Sequence, residues 1–159
     1  MHDDERRAIA QRLHDSPVQL VLHATGGGMA LITDLLLVPG ASRTVLEVTV
    51  PYAATAMVDL LDTEPTQFVS AVTAGDLAAA ALERARSLGD PEIGWGVGIT
   101  AGLTTDRIRR GDDRAWFSIT GAESIVVGLD DVPPDRVAQD RAVADAVLAE
   151  IDRRLDELD

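Results

Sequence analysis

The sequence predicts an α/β fold, a single-domain sandwich with a mixed β-sheet covered by helices. Three observations lead there. Short apolar runs rich in valine and isoleucine alternate with helical segments, the pattern of strands joined by crossovers. One pair of strand-like runs is separated only by Gly121-Ala122-Glu123, which makes an antiparallel hairpin and hence a mixed sheet. A chain of 159 residues, 46% of them hydrophobic, suits one core. No linker, low-complexity stretch or repeat divides it. One domain over 1–159 is therefore expected, with an N-terminal helix over 1–15, an α/β core over 17–130 and a C-terminal helix over 133–158.

Asp3 to His14 carries acids early, arginine later and apolar Ile9 and Leu13, a short surface helix that suits its own dipole. Ser16-Pro17 ends it. Val18 to Leu22 reads as a buried strand running into His23-Ala24-Thr25-Gly26-Gly27-Gly28. Met29 to Val38 is apolar apart from Thr33 and Asp34, a helix stopped by Pro39-Gly40. Asp34 is expected at the helix surface or holding an arginine. Val45 to Val50 is a second strand, and Pro51 opens a helix bearing Met57, Leu60 and Leu61.

Thr73 and Asp76 resemble a capping box ahead of a helix with Leu77, Ala81, Ala85 and Leu88 on one side, closed by Gly89-Asp90-Pro91. Ile93 to Thr100, IGWGVGIT, is a strand with a small residue at alternate positions, so a helix backbone or a ligand must pack close to that face. Ala115 to Thr120 and Ser124 to Leu129 form the hairpin. Trp95 and Trp116 read as core or interface anchors. Pro133-Pro134 opens the last helix, whose stripe of Ala144, Val147, Leu148, Ile151, Leu155 and Leu158 is expected to dock on the sheet.

Composition excludes much chemistry. Acidic residues number 27 against 14 basic, a net charge of −13, so a phosphate backbone or an anionic membrane would be repelled. No nucleic-acid or membrane partner is expected. No apolar run is long enough to span a bilayer, and the first residues are too charged for a signal peptide, which points to a cytoplasmic protein. Cysteine, lysine and asparagine are absent. There is thus no disulfide, thiolate nucleophile, Schiff base or lysine base. His2 and His14 lie in the charged N-terminal segment without a metal-binding spacing and read as solvated. Neither metal nor cofactor is expected.

The junction from strand through Thr25 and the three glycines into a helix is the feature that can carry chemistry. Glycines admit an anion close to the backbone, and the first free N–H groups of a helix favour negative charge. The alternative is a tight turn in which glycine merely satisfies backbone geometry. Gly26, Gly27 and Gly28 are accordingly candidate ligand-binding residues, and the Thr25 hydroxyl can hydrogen-bond or attack what they hold.

From His23 to Leu61 the sequence resembles, without a gap, the C-terminal domain of the competence/damage-inducible protein CinA family, which includes nicotinamide mononucleotide deamidases. The family reads Glu-Ser-Cys-Thr-Gly-Gly, then Asp-Val-Pro-Gly-Ala-Ser, then Tyr-Ser-Asn-Glu-Ala-Lys. The corresponding stretches here are Ala24-Thr25-Gly26-Gly27-Gly28-Met29, Leu37-Val38-Pro39-Gly40-Ala41-Ser42 and Tyr52-Ala53-Ala54-Thr55-Ala56-Met57. Looser likenesses follow at Val72-Thr73, at Ile99-Thr100-Ala101-Gly102 and at Pro134-Asp135-Arg136. The sequence is also similar to the CinA-like region attached to plant nucleotidyltransferase-like proteins. The resemblance implies the family's α/β fold, a homo-oligomer and a site that takes a phosphorylated small molecule such as a pyridine nucleotide.

The same comparison marks departures. Thr25 stands at the family's serine nucleophile and Met57 at its candidate lysine base, with no lysine elsewhere to replace it. Ala24 replaces the motif's glutamate, and the Gly-Pro-Asp-Gly-Gly loop is absent around 104–107. The Gly-rich turn, Tyr52 and Thr100 persist.

His23, two residues before Thr25 on one strand face, is a candidate base, or else a packed histidine at a strand end. Tyr52 can activate Thr25 only as a phenolate, and stacking on or hydrogen-bonding a ligand is the expected role. Arg107, Arg109 and Arg110 can clamp a phosphate or form a solvated loop, and Arg136 and Arg141 share that ambiguity. Three readings result: a ligand-binding domain that has lost or altered deamidase chemistry, an active amidohydrolase using Thr25 or a His23-activated water, and an oligomeric scaffold with a vestigial pocket.

Overall fold

The computed structural model of the chain describes residues 1–108 and 111–159. Its elements run α1 (Asp3–His14), β1 (Val18–Thr25), α2 (Met29–Leu36), a 3-10 turn (Ala41–Arg43), β2 (Val45–Thr49), α3 (Ala54–Leu61), α4 (Ala71–Gly89), β3 (Ile93–Gly102), β4 (Arg114–Ile119), β5 (Ile125–Val127) and α5 (Arg136–Asp156). The sheet order is β2-β1-β3-β4-β5, with β1 parallel to both its neighbours and the β3–β4 and β4–β5 pairs antiparallel. This is the predicted single-domain mixed-sheet sandwich. Among the described residues, no helix is long and apolar enough to cross a membrane.

Strand alternation assigns the two faces. Leu20, Leu22 and Ala24 of β1 join Trp95, Val97 and Ile99 of β3 in a core covered by α1, α2 and α5. The α5 stripe docks there as expected, Val147, Leu148 and Ile151 being fully buried, while Leu158 lies past the helix end and is exposed. On the opposite face Val21 meets Ala81 and Ala85 of α4.

The alternate small residues of β3 serve that second contact. A Cβ on Gly96 would lie 2.0 Å from the Ala78 carbonyl oxygen, and one on Gly98 would lie 2.4 Å from that of Ala74. The backbone of α4, rather than a ligand, packs against the strand here.

Several element starts move from their expected places. The α4 helix begins at Ala71, two residues before Thr73, because Ser70 is its N-cap and its Oγ accepts from the Thr73 amide at 3.1 Å. The Thr73 hydroxyl instead donates to the Gln67 carbonyl at 2.5 Å, so the expected box at Thr73 and Asp76 is not the cap. The α3 helix opens at Ala54 rather than at Pro51.

His14 is not solvated. It is 1% exposed, with Nε2 2.8 Å from the Leu35 carbonyl oxygen and Nδ1 3.0 Å from the Thr44 hydroxyl, and so ties α1 to α2 and the turn before β2. Asp34 does hold an arginine, Arg141 of α5. Arg141 also meets Asp145 at 3.0 Å, and Asp145 takes a two-pronged contact from Arg6 at 2.8 and 2.9 Å. These half-buried pairs lock the helices of one layer together, and Arg141 is spent on them.

Candidate functional site

The C-terminal ends of the parallel strands β1 and β3 are level, with Thr25 in register with Thr100. Open α/β sheets bind ligands at this end of their strands. Here a cleft of about 340 Å3 opens, lined by Thr25, Gly26, Tyr52, Met57, Phe68, Thr100, Leu103, Arg107 and Arg136 among others. Its size lies within the range of small-molecule sites, which begins at about 300 Å3. Thr25, Tyr52, Thr100, Met57 and Gly26, all singled out from sequence, meet in this one place.

Glycine is needed at the turn for two measurable reasons. Gly26 and Gly28 have φ of 79° and 83°, where a side chain is strained. A Cβ on Gly26 would also stand 1.9 Å from the Ala101 carbonyl oxygen, and one on Gly27 would be 2.8 Å from the Leu103 side chain. The turn is thus pressed onto β3. Of the three glycines only Gly26 lines the cleft, while Gly28 faces Ile99 and Val143 in the core.

The first amides of α2 do hold an anion, and it belongs to the protein. Asp140 of α5 accepts from the Met29 N–H with Oδ1 and from the Ala30 N–H with Oδ2, both at 2.8 Å. Gly28 has no side chain to cap the helix, and the carboxylate supplies what it lacks. The expectation that these particular amides grip a ligand is therefore corrected. Nothing in sequence flags Asp140, since the contact joins segments far apart in the chain.

Positive charge in the cleft comes instead from arginine. Arg136, at the start of α5, donates to the Thr104 carbonyl at 3.2 Å, to the Gly26 carbonyl at 3.2 Å and to the Tyr52 hydroxyl at 3.4 Å. Arg107 lies on the loop after β3, whose base is fixed by Gln139: its Oε1 accepts from the Thr104 amide at 2.8 Å and its Nε2 donates to Asp113 at 2.9 Å. Neither arginine makes an ion pair among the described residues, and no carboxylate lines the cleft. Arg109 and Arg110 lie outside the described residues.

The remaining candidates divide. Thr100 is 1% exposed and its hydroxyl donates to the Phe68 carbonyl at 2.5 Å, holding the loop between α3 and α4 against the sheet. The Thr25 hydroxyl makes no hydrogen bond among the described residues. Tyr52 stands exposed at the rim. Met57, at the position of the family lysine, is fully buried against the cleft and supplies no base.

His23 does not line the Thr25 cleft. Its ring lines a different cavity and leaves Nδ1 without a hydrogen-bond partner among the described residues. Burial pushes its pKa below the usual imidazole value. Phe68, Val69 and Leu103 were not legible in advance, because loop residues that close a cleft carry no periodicity or motif. Among the described residues no group of three or more His, Asp or Glu side chains is placed to hold a metal.

The sequence matches no family profile and no curated protein. The fold does have solved counterparts. A CinA superfamily protein from Klebsiella pneumoniae superimposes with a TM-score of 0.76 at 14% identity, covering 99% of both chains. One from Enterobacter cloacae gives 0.70 at 17% identity, covering 98% of this chain and 93% of that one. A competence/damage-inducible protein from Agrobacterium tumefaciens gives 0.60 at 18% identity, covering 99% and 94%. The chain therefore has the fold of the CinA superfamily over its whole length.

Proposed function

Taking that fold as the premise, we propose that the cleft at Thr25 binds a phosphorylated small molecule, such as the pyridine nucleotide nicotinamide mononucleotide, without cleaving its amide. The observation that carries this reading is the pair Arg107 and Arg136, two cleft arginines without carboxylate partners among the described residues, on a chain of net charge −13. Arg136 rests on neutral acceptors at 3.2 to 3.4 Å, and an anionic oxygen is a stronger acceptor than any of them. Phe68, Tyr52 and Met57 give a ring something to pack on, with the Thr25 hydroxyl free to hydrogen-bond it.

Hydrolysis needs more than the cleft supplies. A threonine hydroxyl is a weak nucleophile until a base takes its proton, and among the described residues neither carboxylate nor imidazole lines this cleft. Calorimetric titration with nicotinamide mononucleotide, run beside an assay for released ammonia, tests the proposal. Saturable binding without ammonia supports it. Ammonia release abolished by Thr25→Ala would establish the amidohydrolase reading in its place, and no binding at millimolar ligand would leave only the scaffold.

A further inference from the structure

Gln139 sits one turn into α5 and is 2% exposed, on the same helix face as the fully buried Val143. A primary amide in such a place costs stability unless its polar atoms are bonded. All of them are. The Oε1 atom accepts from the Thr104 backbone amide at 2.8 Å, and Nε2 donates to Asp113 at 2.9 Å and to the Thr104 hydroxyl at 3.2 Å. That hydroxyl donates in turn to the same Asp113 oxygen at 2.5 Å. The neighbours fix which way the amide points, because a backbone N–H only donates and an ionised carboxylate only accepts.

These bonds all go to one segment, the connection between β3 and β4. Thr104 and Asp113 stand near its two ends, so the glutamine clasps its base. Leu103, Thr105 and Arg107, which alternate with the clasped Thr104, line the Thr25 cleft. The Thr104 carbonyl accepts from Arg136 at 3.2 Å, so the residue held by Gln139 through its amide also seats the second cleft arginine. Gln139 itself does not line the cleft. Docking of α5 alone would be served by an aliphatic side chain, as it is at Val143 and Val147.

Resting on the reading of the cleft as a nucleotide site, we propose that Gln139 is a positioning residue for its ligand. By clasping Thr104 and Asp113 it sets where Arg107 and Arg136 stand, and so spares the ligand the cost of ordering them.

Calorimetric titration with nicotinamide mononucleotide tests this in three variants. Gln139→Met fills a similar volume without the amide, and its affinity should fall by about tenfold. Gln139→Glu keeps an acceptor for the Thr104 amide but sets a second carboxylate against Asp113, and should lose at least as much. Adding Asp113→Asn to Gln139→Glu reverses the donor and acceptor of that bond, with the Thr104 hydroxyl able to serve either direction, and should recover most of the affinity. A role in stability alone would lower the melting temperature and the fraction of protein that binds, and leave the dissociation constant of the folded protein unchanged. That result, or a double variant that regains its melting temperature without its affinity, overturns the proposal while the nucleotide reading stands. No binding by the unaltered protein overturns the reading and the proposal together.

Discussion

Asp140 and Met29 lie 111 positions apart in sequence and are joined by a 2.8 Å hydrogen bond between carboxylate and backbone amide. A second bond of equal length reaches Ala30, so one side chain of α5 caps the first two amides of α2. Four residues before it on the same helix, Arg136 holds the Gly26 carbonyl, so α5 grips the glycine turn at both ends.

Removing this cap should cost stability. Asp140→Ala leaves two amides without their acceptor and is expected to lose about 1–3 kcal/mol, read as a lower urea midpoint. Asp140→Asn keeps an acceptor and should lose less. An unaltered midpoint in the alanine variant would mean that water caps α2 equally well.

The approach of α4 to β3 makes a sharper test. Gly96→Ala places a methyl group 2.0 Å from the Ala78 carbonyl oxygen, against helix backbone that cannot rotate away. Overpacking of this kind is expected to cost about 3 kcal/mol or more. Gly128→Ala, whose new atom meets nothing within 4 Å, should change stability little. Similar thermal midpoints for the two variants would contradict the observed packing.

Acid should weaken the fold in two stages. The buried His23 ring resists protonation, whereas the unfolded chain takes that proton near 6.5. Its contribution is therefore complete above that pH and declines as pH falls below it. His23→Gln should flatten the stability curve below about pH 6.5. Glu150, held down to about 2 by its hydrogen bonds from Arg153 and Arg154, contributes above its ordinary 4.5 and loses that contribution as pH falls toward 2. Glu150→Gln should shrink the lower step, to which Glu47 and Asp145 also contribute, and leave the upper one, as monitored by urea melts at stepped pH.

Arg136→Ala should weaken nucleotide binding by about tenfold or more while moving the melting temperature little, since its present bonds are long and exposed. Arg136→Lys should recover part of the affinity as a point charge that lacks the planar fork. Equal affinity in all three proteins would remove Arg136 from the site.

The pattern of the chain settled much of the fold in advance. The α1 helix matched its bounds, and β1, β2 and β3 began where the valine and isoleucine runs begin, because β-branched residues favour extended backbone and the central β1 and β3 are buried on both faces. The alternate glycines of IGWGVGIT announced a close neighbour without naming it, and the structure supplies the backbone of α4. His14 defied its charged surroundings, since burial depends on what α2 and the turn before β2 bring to it.

The cleft was half legible. Thr25, Tyr52, Thr100 and Met57 could be picked out because motif and spacing are local, and the structure does bring them together. That His23 turns to a separate cavity, that Asp140 rather than a guest sits on the α2 amides, and that Arg107 and Arg136 carry the cleft's charge were decided by tertiary structure alone. Sequence fixes which groups a chain can offer and the periodicity with which its elements offer them. Which of those groups meet is set by packing between segments a hundred residues apart, where shape and charge compete only once the sheet has formed.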